Sequence, residues 1–342
     1  MPAPDADTGD PLNLAPTPAR RRRAIIGGIV GLALVVAALV AVALRRHELA
    51  SAWDALTIAP AWMVALALVS PLLNLVFVSL ALWIITAKHG PVRPAEMLAL
   101  VCGAWLLNYL PMRPGMFGRI AYHRKVNNIP ISTSAALLVL SMGLTATAIA
   151  LLVVLGLALR WTDSLAIEIS IIAGTGGAIG LASLILGLTQ GPWRIAAAIF
   201  LRYLDTLVWV TRYWLVFHMV GHALSFEQAC AIAAVSQAAT AIPISGNGLG
   251  LREWAVGLSM AALPSWFMEP GATSAQATAL GLAGDLVNRG VEMAVAVPVG
   301  LIGMAWVARR LRQHANRPER APSRRPAISS TLSGQLAPPD QP

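Results

Sequence analysis

The sequence predicts an all-α, polytopic integral membrane protein with about six full spans and two oppositely oriented re-entrant helical hairpins. Of its 342 residues, 57% are hydrophobic and 12% are charged, and the mean hydropathy is +0.67. Soluble domains carry about a quarter charged residues. From residue 24 to residue 308 only about 9% of the residues are charged. This composition excludes a water-soluble enzyme.

The distribution of charge divides the chain into three parts. Residues 1–23 are rich in Pro, Asp and Ala and end in four arginines, so we expect a disordered basic N-terminal segment. Residues 24–308 form the predicted membrane domain. Residues 309–342 contain seven arginines among Pro and Ser, and we expect a disordered tail there.

Long apolar runs predict the full spans. The first run, 24–44, is 21 residues long and ends in Arg45-Arg46 rather than in a small-residue cleavage site. We therefore interpret it as an uncleaved anchor that crosses the bilayer once. The other predicted spans lie at about 60–86, 132–159, 165–188, 199–221 and 275–307.

Two further apolar segments are interrupted by breaks rich in Pro and Gly. Residues 95–110 run into a break that begins at Pro111, and residues 227–242 run into one that begins at Pro243 and precedes a short helix to about Leu263. A short helix, a break and a return predict a re-entrant hairpin. The residues that we assign to the two breaks are Pro111, Gly115, Gly118, Pro243, Gly248 and Gly250.

The two breaks also resemble each other. Pro111 lies seven residues before Gly118 and Pro243 lies seven residues before Gly250, and an arginine follows each glycine within two residues. Paired broken helices of opposite orientation indicate a transporter site near the bilayer midplane. The alternative is a chance match in a chain that is rich in Gly and Pro.

The basic residues indicate the orientation of the spans. With six spans and two re-entrant hairpins, 18 of the 25 Lys and Arg residues lie on the side of both termini. The positive-inside bias therefore places both termini in the cytoplasm. Three spans separate the two hairpins, so we expect the hairpins to enter the membrane from opposite faces.

The net charge of +9 does not indicate a nucleic-acid partner, because the basic residues lie at span ends and in the tails. Cys102 and Cys230 lie in apolar stretches without the spacing of metal ligands, so we interpret them as small hydrophobic residues. His218 and His222 are interpreted as interfacial histidines. We expect no metal site and no cofactor.

Charged residues inside predicted spans each need a physical reason, because insertion of one costs at least about 2.5 kcal/mol. In the last span Asp285, Arg289 and Glu292 have the spacing of one helix face. They either form an internal ion pair that locks helices together or line a substrate path. The same two readings apply to Asp205 and Arg212 in the span 199–221, whereas Arg202 is close enough to the span end to snorkel.

The breaks carry residues that suit an anion. Arg252-Glu253 opens the helix after the second break, where free N–H groups and a guanidinium attract phosphate. Glu253 either complements the helix dipole or balances Arg252. Arg113 and Arg119 place the same chemistry at the first break, unless they serve only membrane orientation. A phosphate-bearing lipid, either a phospholipid or a polyprenyl phosphate, fits two such sites.

Two motifs resemble one known family. The segment from Asn108 to Arg119, Asn-Tyr-Leu-Pro-Met-Arg-Pro-Gly-Met-Phe-Gly-Arg, and the segment from Pro243 to Glu253, Pro-Ile-Ser-Gly-Asn-Gly-Leu-Gly-Leu-Arg-Glu, are similar to the lysylphosphatidylglycerol synthase transmembrane family. This flippase-like region also occurs in stand-alone proteins of the UPF0104 type, and the resemblance covers about residues 24–308. By motif position it implies functional roles for Arg113, Arg119, Arg252, Glu253 and, in the last span, Arg289.

The chain departs from the family pattern at three places. Met116 stands where the family usually has Glu, and Gly246-Asn247-Gly248 stands where it usually has Pro-Gly-Gly. Around Ser141-Met142 there is no charge, whereas many members have a Glu-Arg pair in the helix after the first break.

The resemblance implies a protein of the bacterial inner membrane that binds or translocates lipid. The best-known members continue into a soluble aminoacyltransferase domain, whereas only the tail follows the last span here, so we do not expect lipid aminoacylation. A separately encoded lipid-modifying enzyme is a candidate partner.

We favour a transporter without enzymatic activity, in which the charged residues named above hold a headgroup and line its path. The alternatives are a membrane-embedded transferase for a polyprenyl-phosphate sugar, with Glu253 or Asp285 as base, and a non-transporting scaffold.

Overall fold

The computed structural model describes residues 57–110, 113–162, 164–189, 192–242 and 246–315. Within these ranges the chain forms ten α-helices, one 3₁₀ turn at Gly246–Gly248 and no strand, which confirms the all-α fold class. The helices are α1 (Ala61–Thr86), α2 (Pro94–Leu107), α3 (Pro114–Val126), α4 (Ile131–Leu159), α5 (Leu165–Leu188), α6 (Trp193–Met219), α7 (Phe226–Ala241), α8 (Leu251–Ala262), α9 (Pro264–Phe267) and α10 (Ser274–Ala315).

Several predictions concern residues outside the described ranges. These are the N-terminal segment 1–23, the first span 24–44, the two prolines Pro111 and Pro243, and the tail beyond residue 315. The helix α10 itself continues to Ala315. Residues 309–315, which we assigned to the disordered tail, are therefore helical.

Four of the described helices, namely α1, α4, α5 and α10, are long and apolar enough to cross a membrane. The helix α6 has 27 residues, about 40 Å at 1.5 Å per residue, but it carries several charged residues. It begins at Trp193, six residues before the predicted span, because Pro192 supplies the turn that precedes its first residue. The four long apolar helices make the protein a polytopic membrane protein.

The helix α6 lies at the centre of the bundle and packs against α1, α4, α5, α7 and α10. Its buried side chains include Tyr203, Tyr213 and Phe217, which belong to the largest apolar cluster of the described residues. Cys230 lies in that cluster and Cys102 in a second one around Met97, so both cysteines pack as apolar residues.

Each predicted hairpin is a pair of helices in contact, α2 with α3 and α7 with α8. The helices α2 and α8 also pack on α10, at two different places. A Cβ on Gly281 would lie 2.8 Å from the Cα atom of Gly257 in α8, and a Cβ on Gly303 would lie 2.6 Å from the Cβ atom of Cys102 in α2. Because 22 residues, about 33 Å of helix, separate these two contacts, α8 and α2 follow each other along α10.

The two breaks meet between these contacts. A Cβ on Gly246 would lie 2.0 Å from the carbonyl oxygen of Tyr109, so only glycine permits this approach of the two backbones. The helix α2 ends and α8 begins at this place, and the ends of α7 and α3 border it. Four helix ends thus converge next to the middle part of α10.

The two breaks differ in geometry despite their similar sequences. The second break ends at Gly250, which precedes α8 and has a φ of 78°, and Gly248 has a φ of 73°. The first break ends at Arg113, and Pro114 is the first residue of α3. Gly118 therefore lies inside α3, where a Cβ would meet nothing within 4 Å, and it is not a break residue. Gly115, also assigned to the break, lies in the first turn of α3 instead and packs closely on the backbone of Ala104 in α2.

Candidate functional site

Most of the buried charged residues lie at or next to the place where the two breaks meet. We call this place the hairpin junction and define it as the described residues of 108–115 and 237–253 together with Arg289. Its charged side chains connect to further charges on α6 and α10. Arg252, Glu253 and Asp285 have 0% relative exposure, so these charges are withdrawn completely from solvent and lipid.

Four of the buried charges form a connected set, which we call the inner quartet: Arg212, Arg252, Asp285 and Glu292. A longer contact of 3.8 Å joins Glu292 Oε2 of this set to Arg289 Nη1. Arg252 lies 3.0 Å from Asp285 Oδ2 through its Nε and 2.8 Å from Glu292 Oε2 through its Nη1. Arg212 Nη2 lies 2.7 Å from Glu292 Oε1. Both arginines thus hold carboxylates of α10 from two other helices, α6 and α8.

Neutral polar groups complete the inner quartet. The hydroxyl of Tyr213 lies 2.5 Å from Asp285 Oδ1 and 2.6 Å from Ser236 Oγ. Asn288 accepts a hydrogen bond of 2.8 Å from Arg212 Nε. The guanidinium of Arg212 also lies 4.2 Å from the ring centroid of Trp209, a cation–π distance. The inner quartet is therefore held by at least two interactions on each charged side chain.

An amide on α1 extends the network along α6 towards the N-terminal half of that helix. Asn74 donates to the carboxylate of Asp205 at 2.7 Å and accepts from Arg212 Nη1 at 3.1 Å. Asp205 pairs with Arg202 at 2.5 Å. Arg202 consequently faces the interior rather than the membrane surface, and Asp205 and Arg212 are linked through Asn74 instead of pairing with each other.

The second ion pair of the junction is simpler. Arg289 Nε lies 2.9 Å from Glu253 Oε1, and Arg289 Nη1 donates to the carbonyl oxygen of Asn247 at 3.1 Å. The guanidinium of Arg289 lies 5.8 Å from the ring centroid of Tyr109. Glu253 thus balances Arg289 rather than its neighbour Arg252, and the pair ties the second break to α10.

Arg113 connects the two hairpins. Its backbone has the left-handed conformation, with a φ of 48°, and its Nη2 donates to the carbonyl oxygens of Thr240 and Ile242. It therefore caps the C-terminal end of α7 from the first break. Within the described part of the chain no carboxylate pairs with Arg113. Arg119 lies half-buried on α3 and has no hydrogen bond or ion pair with another described residue.

The family model for the lysylphosphatidylglycerol synthase TM region matches residues 28–207 of this chain. The chain belongs to this family. Comparison with curated proteins and with solved structures found no match. The family assignment predicted from the two motifs is confirmed, and together with the apolar helices it makes the chain a multi-pass membrane protein.

The match to the lysylphosphatidylglycerol synthase TM region includes the first hairpin and α6 as far as Leu207, and it ends before the second hairpin and α10. The residues that the structure adds to the site from beyond the match are Arg212, Arg252, Glu253, Asp285, Arg289 and Glu292.

The hairpin junction contains buried polar atoms that no described group satisfies. Such atoms are rare in proteins and indicate a place for water, an ion or a ligand. Here they include both donors and acceptors. They are Asn108 Oδ1, Tyr109 OH, Arg113 Nε, Gln237 Nε2, Arg252 Nη2, Glu253 Oε2 and Arg289 Nη2.

The charge balance of the junction favours an anion. The network of ion pairs contains four arginines and four carboxylates, so it is neutral as a whole. Arg113 adds one positive charge at the junction, and its Nε has no partner among the described residues. An anionic group would balance this charge and accept hydrogen bonds from the unpartnered arginine nitrogens.

Sequence reasoning found every charged residue of this network, but not the neutral residues that join them. Asn74, Trp209, Tyr213 and Ser236 were missed, although a single amide within the apolar span of α1 is a signal of the same kind as a buried charge. The predicted spacing of Asp285 and Arg289 is present, but the two side chains pair with different residues of α8.

Proposed function

We propose that this protein binds a phosphate-bearing lipid at the hairpin junction and moves its headgroup across the bacterial inner membrane. The observation that carries the proposal is the group of arginine nitrogens that have no partner among the described residues, at a buried place with one surplus positive charge. A phosphate oxygen is a strong acceptor for a guanidinium, and a buried unpaired donor is costly unless a ligand or water satisfies it.

The arrangement of the half-helices supports translocation. The helices α2 and α8 follow each other along α10, and their breaks meet next to Arg289. In transporters, discontinuous helices of this kind place helix N-termini and carbonyl groups around a substrate site. A headgroup that reaches the junction between α2 and α3 on one side could leave between α7 and α8 on the other.

The pairing pattern divides the arginines by role. Arg252 and Arg212 hold the carboxylates of α10, so we assign them to the scaffold of the site. Arg113 has no charged partner within the described chain, and the short ion pair of Arg289 is with Glu253, outside the inner quartet. Both arginines flank the breaks, so we assign the phosphate to them. The two candidate bases of the transferase alternative are each paired with an arginine, Asp285 with Arg252 and Glu253 with Arg289. This pairing makes them poor general bases and favours a transporter over a transferase.

The test is translocation in vesicles. Purified protein is reconstituted with a trace of a phospholipid that carries a fluorescent acyl chain, and a membrane-impermeant quencher reports how much probe becomes accessible from outside. We expect wild-type protein to exchange the probe between leaflets faster than empty vesicles do. Arg289→Gln and Arg113→Gln should each lower that rate at least about tenfold, because each removes a charge-assisted hydrogen bond.

The matched control is Arg124→Gln, which removes an exposed arginine from α3 without touching the junction. It should keep the wild-type rate. Equal rates for all four proteins and empty vesicles would refute the proposal.

A further inference from the structure

Glu253 has fewer hydrogen-bond partners than the other carboxylates of the charge network. Its Oε1 accepts one hydrogen bond, from Arg289, whereas its Oε2 has no partner among the described residues although the side chain is fully buried. Asp285 and Glu292 each accept from an arginine and from at least one further group. Glu253 is therefore the carboxylate of the network whose release breaks the fewest contacts.

The geometry of Arg289 shows what Glu253 prevents. A guanidinium binds phosphate best through two adjacent N–H groups along one edge. On one edge Glu253 occupies Nε, and on the other edge the carbonyl of Asn247 occupies Nη1, with Glu292 Oε2 at a longer 3.8 Å from the same nitrogen. Nη2, which both edges share, has no hydrogen-bond partner among the described residues. A phosphate can therefore bind Arg289 through two bonds only after Glu253 or the Asn247 carbonyl has moved.

The two occupants differ in how they are fixed. The Asn247 carbonyl belongs to a break whose residues Asn247, Gly248 and Gly250 all have a positive φ, so moving it means rebuilding the backbone turn. Glu253 lies in the first turn of α8 and can leave Arg289 by rotation of its side chain. The side-chain movement is the smaller change.

We infer that Glu253 is an internal competitor that occupies Arg289 in place of the ligand phosphate and so determines how tightly the site binds an anionic headgroup. This inference rests on the proposed function. The carboxylate is the nearest counter-charge of Arg289 when no ligand is bound, and its release frees the Nε–Nη2 edge. Because Arg289 also holds the Asn247 carbonyl, exchange of the two anions links ligand binding to the second break.

The test compares Glu253→Gln with wild-type protein as purified full-length chains in neutral detergent. The probe is dihexanoyl-phosphatidylglycerol, a short-chain monoanionic phospholipid, and the comparison compound is dihexanoylglycerol, which lacks the phosphate. We expect Glu253→Gln to bind the phospholipid about tenfold tighter than wild type, since a neutral amide competes less well for a guanidinium than a carboxylate does. The two proteins should not differ in their affinity for dihexanoylglycerol. Inorganic phosphate is the third probe, and its affinity distinguishes a site for a lipid headgroup from a site for free phosphate.

A thermal melting curve distinguishes a change in phospholipid binding from a general loss of stability in the variant. Glu253→Gln removes the nearest counter-charge of the buried Arg289 and leaves only Glu292 Oε2, 3.8 Å from Arg289 Nη1. The melting temperature of the variant should therefore fall without probe and rise by more than that of wild type when the phospholipid saturates it. Asp205→Asn, which removes a buried carboxylate of the same network away from the junction, should also melt earlier but gain no affinity. If Glu253→Gln cannot be purified, Glu253→Asp, whose shorter side chain weakens the contact with Arg289, should show a smaller gain of the same sign.

The outcomes separate the two claims. If wild-type protein binds the phospholipid and Arg289→Gln does not, but Glu253→Gln binds no tighter than wild type, the competitor role is wrong and the proposed function stands. If wild type, Glu253→Gln and Arg289→Gln all fail to bind the phospholipid, the proposed function itself is wrong.

Discussion

The inner quartet and the hairpin junction are parts of one charge network that share Arg252, yet they are built differently. In the inner quartet, Arg212 and Arg252 hold Asp285 and Glu292, and all four residues lie within helices. At the hairpin junction, Arg113 has no carboxylate partner among the residues described, and Arg289 has one short ion pair, with Glu253, and a longer contact with Glu292. The comparison suggests that buried charge fixes the fold where it is fully paired and binds a ligand where it is not.

The largest expected effect is the loss of the scaffold. Arg252→Ala removes the only arginine that pairs with Asp285 within the described chain and one of the arginines on Glu292. Breaking a buried ion pair from one side costs about 3–5 kcal/mol, because the remaining charge stays buried. Reversible unfolding in mixed detergent measures the free energy of unfolding, and Arg124→Ala on the surface of α3 should stay within about 0.5 kcal/mol of wild type. A loss below 1 kcal/mol for Arg252→Ala would show that the quartet is not the scaffold.

A smaller effect on stability is expected for the connection between the hairpins. Arg113→Gln keeps a side chain of similar shape but removes the charged donor that caps the last carbonyls of α7. Hydrogen bonds from charged groups contribute about 1.5–3 kcal/mol, so the free energy of unfolding should fall by about that amount. The same variant should lose phospholipid binding, as an isothermal titration would measure. If Arg113→Gln loses stability but binds the phospholipid like wild type, Arg113 belongs to the scaffold and not to the ligand site.

The contact between the two breaks has no charge and can be tested by volume alone. Gly246→Ala places a methyl group on the backbone of Tyr109, which cannot rotate away. Overpacking of this kind costs about 1–3 kcal/mol. Unfolding in mixed detergent would measure this loss. An unchanged free energy of unfolding would mean that the breaks do not touch in the membrane.

The sequence-based predictions were most accurate for features that depend on one helix alone. The apolar runs located the described spans, and the spacing of Asp285, Arg289 and Glu292 located the inward face of α10. The partners could not be predicted, because Arg252 and Asp285 are 33 positions apart and Asn74 and Arg212 are 138 apart. Such pairings depend on how helices pack, which periodicity does not specify.

Gly118 shows a different kind of error. The repeated Pro-to-Gly spacing suggested that both breaks end at a glycine, but α3 begins at Pro114. Proline is favoured at the first position of a helix because its missing N–H would have no partner there. Pro114 was therefore the more reliable signal.

The smallest expected effect has the opposite sign and follows from this correction. Gly118→Ala adds a methyl group at an exposed position inside a helix where nothing lies within 4 Å. Alanine in place of glycine stabilises a helix interior by about 0.5–1 kcal/mol. A thermal melt of this variant beside Gly246→Ala should show a rise for the first and a fall for the second. A fall for both would indicate that Gly118 belongs to a break after all.

The central claim is that the junction, through Arg289, holds a phosphate-bearing lipid. Native mass spectrometry of wild-type protein and of Arg289→Gln, purified from the same membranes in the same mild detergent, tests it most directly. We expect wild type to carry a bound mass that matches a phosphate-bearing lipid, and Arg289→Gln to have lost most of it while Arg124→Gln retains it. Equal occupancy of that lipid in Arg289→Gln and wild type, or no phosphate-bearing lipid in either, would contradict the claim.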